Sequence, residues 1–108
     1  MTGYYVEPTA SVPHTASDAR DQVDIRWHAE ADKLEIHDAN GEFLLRTSSP
    51  GSVRRGWLRV RDTVGDHLPS RITAATGYRE FIAVSLDGRA LCAVSVEDDE
   101  DWIVTHVF

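Results

Sequence analysis

The C-terminal quarter of the chain contains the feature that most constrains the fold. An Asp-Gly dipeptide at 87–88 separates two apolar runs. This dipeptide is typical of the type I′ turn of a β-hairpin, because both central residues of that turn need a positive φ angle. Counting outward from the turn places Val84 opposite Leu91 and Ala83 opposite Cys92. The sequence therefore predicts a hairpin of defined register.

The predicted C-terminal strands are apolar on both faces. They span Phe81–Leu86, Ala90–Val96 and Trp102–Phe108. Strands that are buried on both faces need a cover on each side of the sheet. The sequence offers one convincing amphipathic helix, so the second cover must be the N-terminal arm, a curled part of the same sheet or another subunit.

A second three-strand meander is predicted before the helix. Apolar and polar residues alternate along Val23–His28 and again along Lys33–His37, which is typical of half-buried strands. The Asn-Gly dipeptide at 40–41 predicts another type I′ hairpin. Counting from that turn places Glu35 opposite Arg46, and opposite charges across a ladder contribute roughly 0.2–1 kcal/mol.

An amphipathic helix is predicted between the meanders, from Pro50 to Leu68. Ser49 is suited to cap it, and a proline is favoured at the first helical position. Its apolar residues recur every three or four positions, at Val53, Trp57, Val60, Val64 and Leu68. The predicted fold is α+β: residues 22–108 form a single domain in the order βββ-α-βββ, an antiparallel sheet with one helix packed on it. Residues 1–21, with two prolines and no periodicity, are expected to form a flexible, poorly structured arm.

Composition excludes several classes of protein. With 108 residues the chain supports one core, and its net charge of −7 disfavours a surface that tracks nucleic acid. The single cysteine, Cys92, excludes an internal disulfide and a zinc site built from several thiolates, and its apolar neighbours predict burial. The five histidines lack metal-ligand spacing, so no metal and no cofactor are predicted. The near-exclusive use of Arg over Lys indicates a GC-rich genome.

The sequence also predicts the cellular location of the protein. The chain has neither a run of about 18 apolar residues, as a membrane span needs, nor a secretory signal. We therefore expect a cytoplasmic protein without membrane association.

Two charged segments are candidate partner-binding sites. The predicted helix carries a basic group that consists of Arg54, Arg55, Arg59 and Arg61. An acidic group with an adjacent aromatic anchor follows the second hairpin strand and consists of Asp98, Asp99, Glu100, Asp101 and Trp102. Either group could instead be a solvated surface, since charges on a helix face or at a hairpin tip also maintain solubility. The acidic run lacks the central glycine and the ligand alternation of a calcium loop.

A resemblance to a known family supplies an alternative function. The segment that starts at Tyr78-Arg79, makes two tight turns and ends in Thr105-His106 resembles the closing sheet of RelE-like ribonuclease toxins. The resemblance implies an RNA-binding or RNA-cleaving protein that uses the Arg-rich helix, with Tyr78, Arg79 and His106 as its catalytic set. Such toxins are basic and begin with a helical pair, whereas this chain is acidic and is predicted to begin with strands.

The preferred expectation is a protein without catalytic activity. No nucleophile elbow, phosphate loop or metal motif is present, which removes the ordinary grounds for naming an enzyme. The small size, the segregated charge and the uncovered sheet face favour a protein-interaction module. An inhibitor, an immunity or antitoxin-like protein or a phage-type regulator would fit, with a protein partner that could be a second copy of the chain.

Overall fold

In the part of the chain that the structure describes, a six-stranded antiparallel sheet and two helices form the fold. The computed structural model describes residues 8–48, 50–51 and 56–108. The elements follow in the order β1 (Ala10–Pro13), α1 (Ala19–Lys33), β2 (Glu42–Thr47), β3 (Leu58–Arg61), α2 (Leu68–Thr76), β4 (Phe81–Val84), β5 (Ala90–Val96) and β6 (Glu100–Val107). The strand order across the sheet is β1-β6-β5-β4-β2-β3. This confirms the α+β class and the antiparallel sheet, while the individual elements of the first half differ from those predicted.

The C-terminal hairpin has the register that its turn predicts. Val84 pairs with Leu91 and Ala83 pairs with Cys92. Gly88 has a φ of 71°, but Asp87 does not have the positive φ that a type I′ turn needs, so the predicted turn type is wrong although the predicted register is correct. The third predicted strand is β6, which pairs along the whole length of β5. The position of the dipeptide was therefore sufficient to define the register of this hairpin.

The segment Val23–His28 is helical, so the prediction of a strand there is wrong. Val23, Trp27 and Ala31 are buried at a spacing of four residues, which is the buried stripe of a helix. Ile25, which a strand would place beside Val23 and Trp27, is 68% exposed. The Trp27 indole N–H donates a hydrogen bond of 3.1 Å to the Cys92 carbonyl, so this side chain anchors α1 to the centre of the sheet.

The Asn-Gly dipeptide forms a turn, but not the predicted hairpin. The chain leaves α1 through Glu35, whose φ is 53°, and Asp38 then accepts hydrogen bonds from the backbone N–H groups of residues 40 and 42. Arg46 pairs with Ile82 of β4, so the predicted Glu35–Arg46 pairing is wrong. Gly41 is required where it stands, because its φ is 78° and a Cβ there would lie 2.7 Å from the Asp62 carbonyl oxygen. The turn leads from a helix into β2 rather than from one strand into another.

The predicted helix from Pro50 to Leu68 is also wrong. Strand β3 lies within that segment and pairs with β2. Gly56 and Gly65 have φ angles of 62° and 88°, which an α-helix cannot accommodate. Trp57, expected to be buried, is 43% exposed, and Val64 is more exposed still. Ser49 and the residues from 52 to 55 lie outside the described ranges.

Part of the expected arm belongs to the sheet. Strand β1 pairs with β6 along four residues, from Ala10 opposite Ile103 to Pro13 opposite Glu100. Val12 is buried in the core. Residues 1–7 of the arm lie outside the described ranges. The folded domain therefore includes a strand from the segment that was expected to be poorly structured.

The amino end of α2 is held by two side chains of α1. The backbone N–H of Leu68 donates to His28 Nε2 at 3.0 Å. Asp24 accepts two hydrogen bonds from Ser70, one from its backbone N–H at 2.9 Å and one from its hydroxyl at 2.6 Å. Because the first N–H groups of a helix have no partner within it, α1 supplies the capping groups that α2 lacks. His28 accepts only when it is neutral, and burial lowers its pKa, with the nearby His37 acting in the same direction.

Both helices pack on the same face of the sheet. Trp27 and Ala31 of α1 and Leu68 and Ile72 of α2 join one core cluster with the inward side chains of the strands. Those strand residues are Val12, Phe43, Leu45, Phe81, Ala83, Ala90, Cys92, Val94 and Ile103. The hydrophobic core therefore lies in a single layer between the helices and one face of the sheet. Neither helix is long and apolar enough to cross a membrane, nor is any other helical stretch of the described residues.

Candidate functional site

The second face of the sheet, which we call the open face, lies opposite both helices. The strand register places alternate residues on it, because cross-strand partners point to the same side. Its central members are Leu44, Arg46, Ile82, Val84, Leu91, Ala93, Ser95, Trp102, Val104 and His106. The contrast on β4 is direct: Phe81 is 2% exposed and its neighbour Ile82 is 38% exposed. An isoleucine on an inner strand is normally covered, so this face is chemically suited to bind something.

The centre of the open face is an apolar groove of about 500 Å³. Ile82, Leu91, Ala93, Trp102 and Val104 contribute the open-face apolar side chains of its lining. Two oppositely charged residues, Arg46 and Glu80, also line it. The groove is therefore apolar with charged residues at its border, as in the centre and rim of a protein interface.

The indole of Trp102 is held in place within this groove. Its N–H donates a hydrogen bond of 2.6 Å to Glu100 Oε1, two residues earlier on the same face of β6. The ring is part-buried and contributes to the groove lining. A fixed aromatic side chain with one polar edge loses little conformational entropy on binding, which is why such residues are enriched at interfaces.

Charge on the open face is separated into two corners. The basic corner is formed by Arg59 and Arg61 on edge strand β3. Arg59 is paired with Glu42 at 2.7 Å, and Arg61 donates to the Asn40 carbonyl at 3.0 Å. The acidic corner, at the opposite end of the face, is formed by Glu97 and Glu100 at the turn between β5 and β6.

Arg46 differs from the other basic residues of this face. Among the residues that the structure describes, it makes no hydrogen bond or ion pair, although it is only part-exposed. Its stem lies beside Ile82 across the β2–β4 ladder. An unpaired guanidinium at the border of an apolar groove can bind a carboxylate or a carbonyl oxygen of a partner.

The predicted basic group is not a helix face. Arg59 and Arg61 lie on β3 and point to the open face, while Arg54 and Arg55 lie outside the described ranges. The sequence identified the two charged residues correctly as surface residues but assigned them to the wrong element. Arg59 and Arg61 are not on a helix, because they lie on β3 and the glycines on either side of that strand have positive φ angles.

The predicted acidic group is divided between the two faces of the sheet. Asp98 and Asp99 are exposed in the turn, whereas Glu100 and Trp102 belong to the open face. Asp101 points to the helix side and is buried, where it accepts a hydrogen bond from His14 Nε2 at 2.9 Å and one from Arg79 at 3.1 Å. Asp101 therefore ties the end of β1 and the start of β4 to β6, which is a structural task.

A polar cleft of about 470 Å³ lies beside Asp101, between β1 and the amino ends of the two helices. The two carboxylates buried in its wall are already engaged, Asp101 by His14 and Arg79 and Asp24 by Ser70. Asp24 also forms a group with Asp21 and His67 in which the possible ligand atoms lie within 4.8 Å of one another. Both oxygens of Asp24 accept hydrogen bonds, and the amino end of α2 carries partial positive charge, which opposes a cation. The cleft is better explained by helix docking than by ligand binding.

A third buried carboxylate, that of Asp62, joins the end of β3 to α2. It accepts hydrogen bonds from the backbone N–H groups of Val64 and Gly65 and from the Arg71 guanidinium. Burial alone would raise the pKa of Asp62, but these bonds hold it below its ordinary value. His37 Nε2 lies 3.6 Å from the same carboxylate and is buried without a hydrogen-bond partner among the described residues. This network stabilises the connection to α2.

The three residues of the alternative catalytic set do not converge. Arg79 binds Asp101 on the helix side of the sheet. His106 is on the open face near the far end of β6, where its ring lies 4.7 Å from that of Phe108. Tyr78 is exposed at the start of the β4 segment. Residues that act on one bond must share one site, and these three are divided between the two faces.

The single thiol is unsuited to chemistry. Cys92 is fully buried under α1, and burial raises the pKa of its thiol to about 12. A nucleophilic cysteine needs an exposed setting that stabilises the thiolate. Its expected role as a small buried hydrophobe agrees with its position.

The open face is thus the best candidate site, and it was only partly visible in the sequence. The apolar alternation on both sides of β4 and β5 indicated an uncovered face, but nothing local showed that Arg46 or Glu80 would border a groove. Comparison of the chain with protein-family models, with curated proteins and with solved structures finds no match.

Proposed function

We propose that this chain is a small acidic protein-interaction module that binds a protein partner through the open face. The observation that carries the proposal is the exposed apolar groove on the inner strands, with Ile82 at 38% exposure. Apolar surface that is exposed and bordered by polar residues is typical of an interaction site.

The shape of the open face favours a protein over a small molecule. Sites for small ligands are concave and enclose most of the ligand surface. The open face is a wide sheet surface with a shallow apolar centre, one fixed tryptophan and charged residues at its ends. This arrangement is that of an apolar interface core with a polar rim.

The charge of the chain fits a regulator that acts by binding. A net charge of −7 disfavours nucleic acid as the partner, because binding to phosphates needs a positive surface. We place such a module in the cytoplasm, as an inhibitor, an immunity or antitoxin-like protein or a phage-type regulator. The RNA-cleaving alternative has no observation in its favour, since Arg59 is paired with Glu42 and the catalytic set is divided between the two faces.

Affinity capture from the native cell with a pair of matched variants tests this proposal. Ile82→Asp places a charge in the groove at an exposed position, and Ile25→Asp makes the same change on the outer side of α1, at a site 68% exposed. We expect the wild-type chain and Ile25→Asp to capture the same proteins and Ile82→Asp to lose at least one of them. Identical capture by all three chains would refute a role for the open face.

A further inference from the structure

The two charged corners of the open face lie diagonally opposite each other. Arg61 is at the end of β3, on one edge of the sheet. Glu97 and Glu100 are at the other end of the strands, beside β6 on the far side of the sheet. The apolar groove lies between the corners. Opposite charges on either side of an apolar centre make a surface that is complementary to itself.

A twofold rotation about an axis in the plane of the face exchanges these corners. If a second chain is placed on the face by such a rotation, its acidic corner lies over the basic corner of the first, and its apolar groove lies over the groove. A twofold contact uses the same patch on both subunits, so each favourable charge contact occurs twice. The relation needs no other partner and no rearrangement of the strands.

We infer that the occupant of the open face is a second copy of this chain, packed face to face about a twofold axis that brings Arg61 of each copy to the Glu97–Glu100 corner of the other. This inference rests on the proposed function, of which it names the partner. It also supplies the second cover that strands apolar on both faces require. Arg46, unpaired among the described residues, then lies at the edge of the contact, where it can bind a carboxylate or a backbone carbonyl of the other copy.

The size of the face sets the expected strength of the contact. The distance from β3 to β6 is roughly 19 Å and the strands extend for roughly 20 Å, which gives a footprint of about 400 Å². A stable complex typically buries about 800 Å² on each partner. The dimer should therefore be weak, with a dissociation constant of about 10–100 µM, and should depend on protein concentration.

Sedimentation velocity of the purified chain tests the inference, with loadings from about 1 µM to about 500 µM so that the expected dissociation constant is bracketed. We expect the mean mass to rise from that of a monomer of 12.1 kDa toward twice that value. Ile82→Asp should remain monomeric throughout, and Ile25→Asp should associate as the wild type does. Circular dichroism of each variant ensures that a loss of association is not a loss of folding.

Charge reversal tests the twofold arrangement itself. Arg61→Glu and Glu97→Arg should each weaken association at least tenfold, because each places like charges together at both contacts. The double variant, which exchanges the two charges, should recover most of the lost affinity. Failure of the double variant to recover, or an association that Ile82→Asp leaves unchanged, would overturn the inferred arrangement.

The possible failures of the two proposals differ. A chain that stays monomeric at every concentration, yet captures a different protein in a manner that Ile82→Asp abolishes, overturns the second copy and leaves the proposed function standing. A monomer whose captured proteins are the same with and without Ile82→Asp overturns both.

Discussion

The docking of α2 on α1 should depend on one buried carboxylate, that of Asp24. Its side chain is 2% exposed, and its two oxygens accept hydrogen bonds from the Ser70 backbone N–H and hydroxyl. In Asp24→Ala both donors lose their acceptor in a part-buried setting, and α2 loses a capping group. We therefore expect α2 to be the part of the domain that this substitution weakens.

The magnitude follows from the bonds that are lost. An unsatisfied buried donor costs about 1–3 kcal/mol, and a missing helix cap costs about 1 kcal/mol. Because Ser70 is part-exposed, water satisfies some of this loss, and we expect Asp24→Ala to lower the free energy of unfolding by about 2–3 kcal/mol. Asp24→Asn keeps one acceptor oxygen and should cost about half as much.

Urea unfolding followed by circular dichroism measures this effect. Asp32→Ala is the matched control, since it removes an exposed aspartate from the same helix and should change the free energy of unfolding by less than about 0.5 kcal/mol. Combining Asp24→Ala with Ser70→Ala should cost less than the sum of the two single changes, because both remove the same hydroxyl bond. A loss in Asp24→Ala no larger than that in Asp32→Ala would show that the contact to Ser70 does not stabilise the fold.

Three further predictions concern single positions. Trp27→Ala should lower the free energy of unfolding by about 3–5 kcal/mol and Trp57→Ala by less than about 1 kcal/mol, because only the first indole is fully buried; equal losses in urea unfolding would contradict this. Gly41→Ala should destabilise the fold more than Gly88→Ala does. Both glycines have positive φ angles, but only at Gly41 would a Cβ lie 2.7 Å from a backbone carbonyl oxygen. Equal denaturation midpoints for the two variants would contradict this. The pKa of His28 is lowered from 6.5 in the folded state, which therefore favours the neutral imidazole. The stability that this contributes is fully present above pH 6.5, the pKa of the unfolded state, and is lost as the pH falls through the lowered pKa of the folded state. Stability measured between about pH 7 and pH 5 should therefore fall more steeply in the wild type than in His28→Gln, which keeps an acceptor but does not titrate; equal slopes would refute a role for this histidine.

The part of the fold that the sequence predicted correctly depends on local chemistry. The register of β4 and β5 is the one counted from the Asp-Gly dipeptide, although Asp87 does not adopt the positive φ of the predicted type I′ turn. The same logic identified the turn at 40–41, where Gly41 indeed has a positive φ. It did not identify the preceding element, because a turn dipeptide indicates a reversal of the chain but not whether a helix or a strand precedes it.

Two of the incorrectly assigned elements, the strand at Val23–His28 and the helix from Pro50 to Leu68, share one cause, which is the treatment of apolar spacing as sufficient evidence. Around Val23 the spacings fit a strand or a helix, and burial of Trp27 in the core decided for the helix. In the segment from 50 to 68 the spacing suited a helix, but Gly56 and Gly65 adopt positive φ angles that interrupt it. Tertiary contacts and glycine conformations are not visible in a periodicity.

The candidate site was predictable in kind but not in detail. Strands apolar on both faces implied a surface that lacks a cover, and among the described residues the open face is that surface. The placement of its charges was not predictable, because Arg59 and Arg61 were assigned to a helix and Asp101 was expected to share the surface of Glu100. A shift of one residue along a strand moves every side chain to the other face of the sheet. A run of charged residues therefore does not show which face each charge occupies until the register is known.

The pairing of β1 with β6 has a consequence for the tendency of the protein to aggregate. The hydroxyls of Thr9 and Thr105 are 2.7 Å apart although 96 positions separate these residues in the chain. β1 is held to β6 by a ladder of only four residues and by the hydrogen bonds of Thr9 and His14 on either side of it. Release of β1 would uncover the backbone N–H and C=O groups of β6, a long strand whose exposed edge can pair with another molecule. Resistance of this protein to aggregation therefore depends on the retention of a short edge strand as well as on the packing of its core.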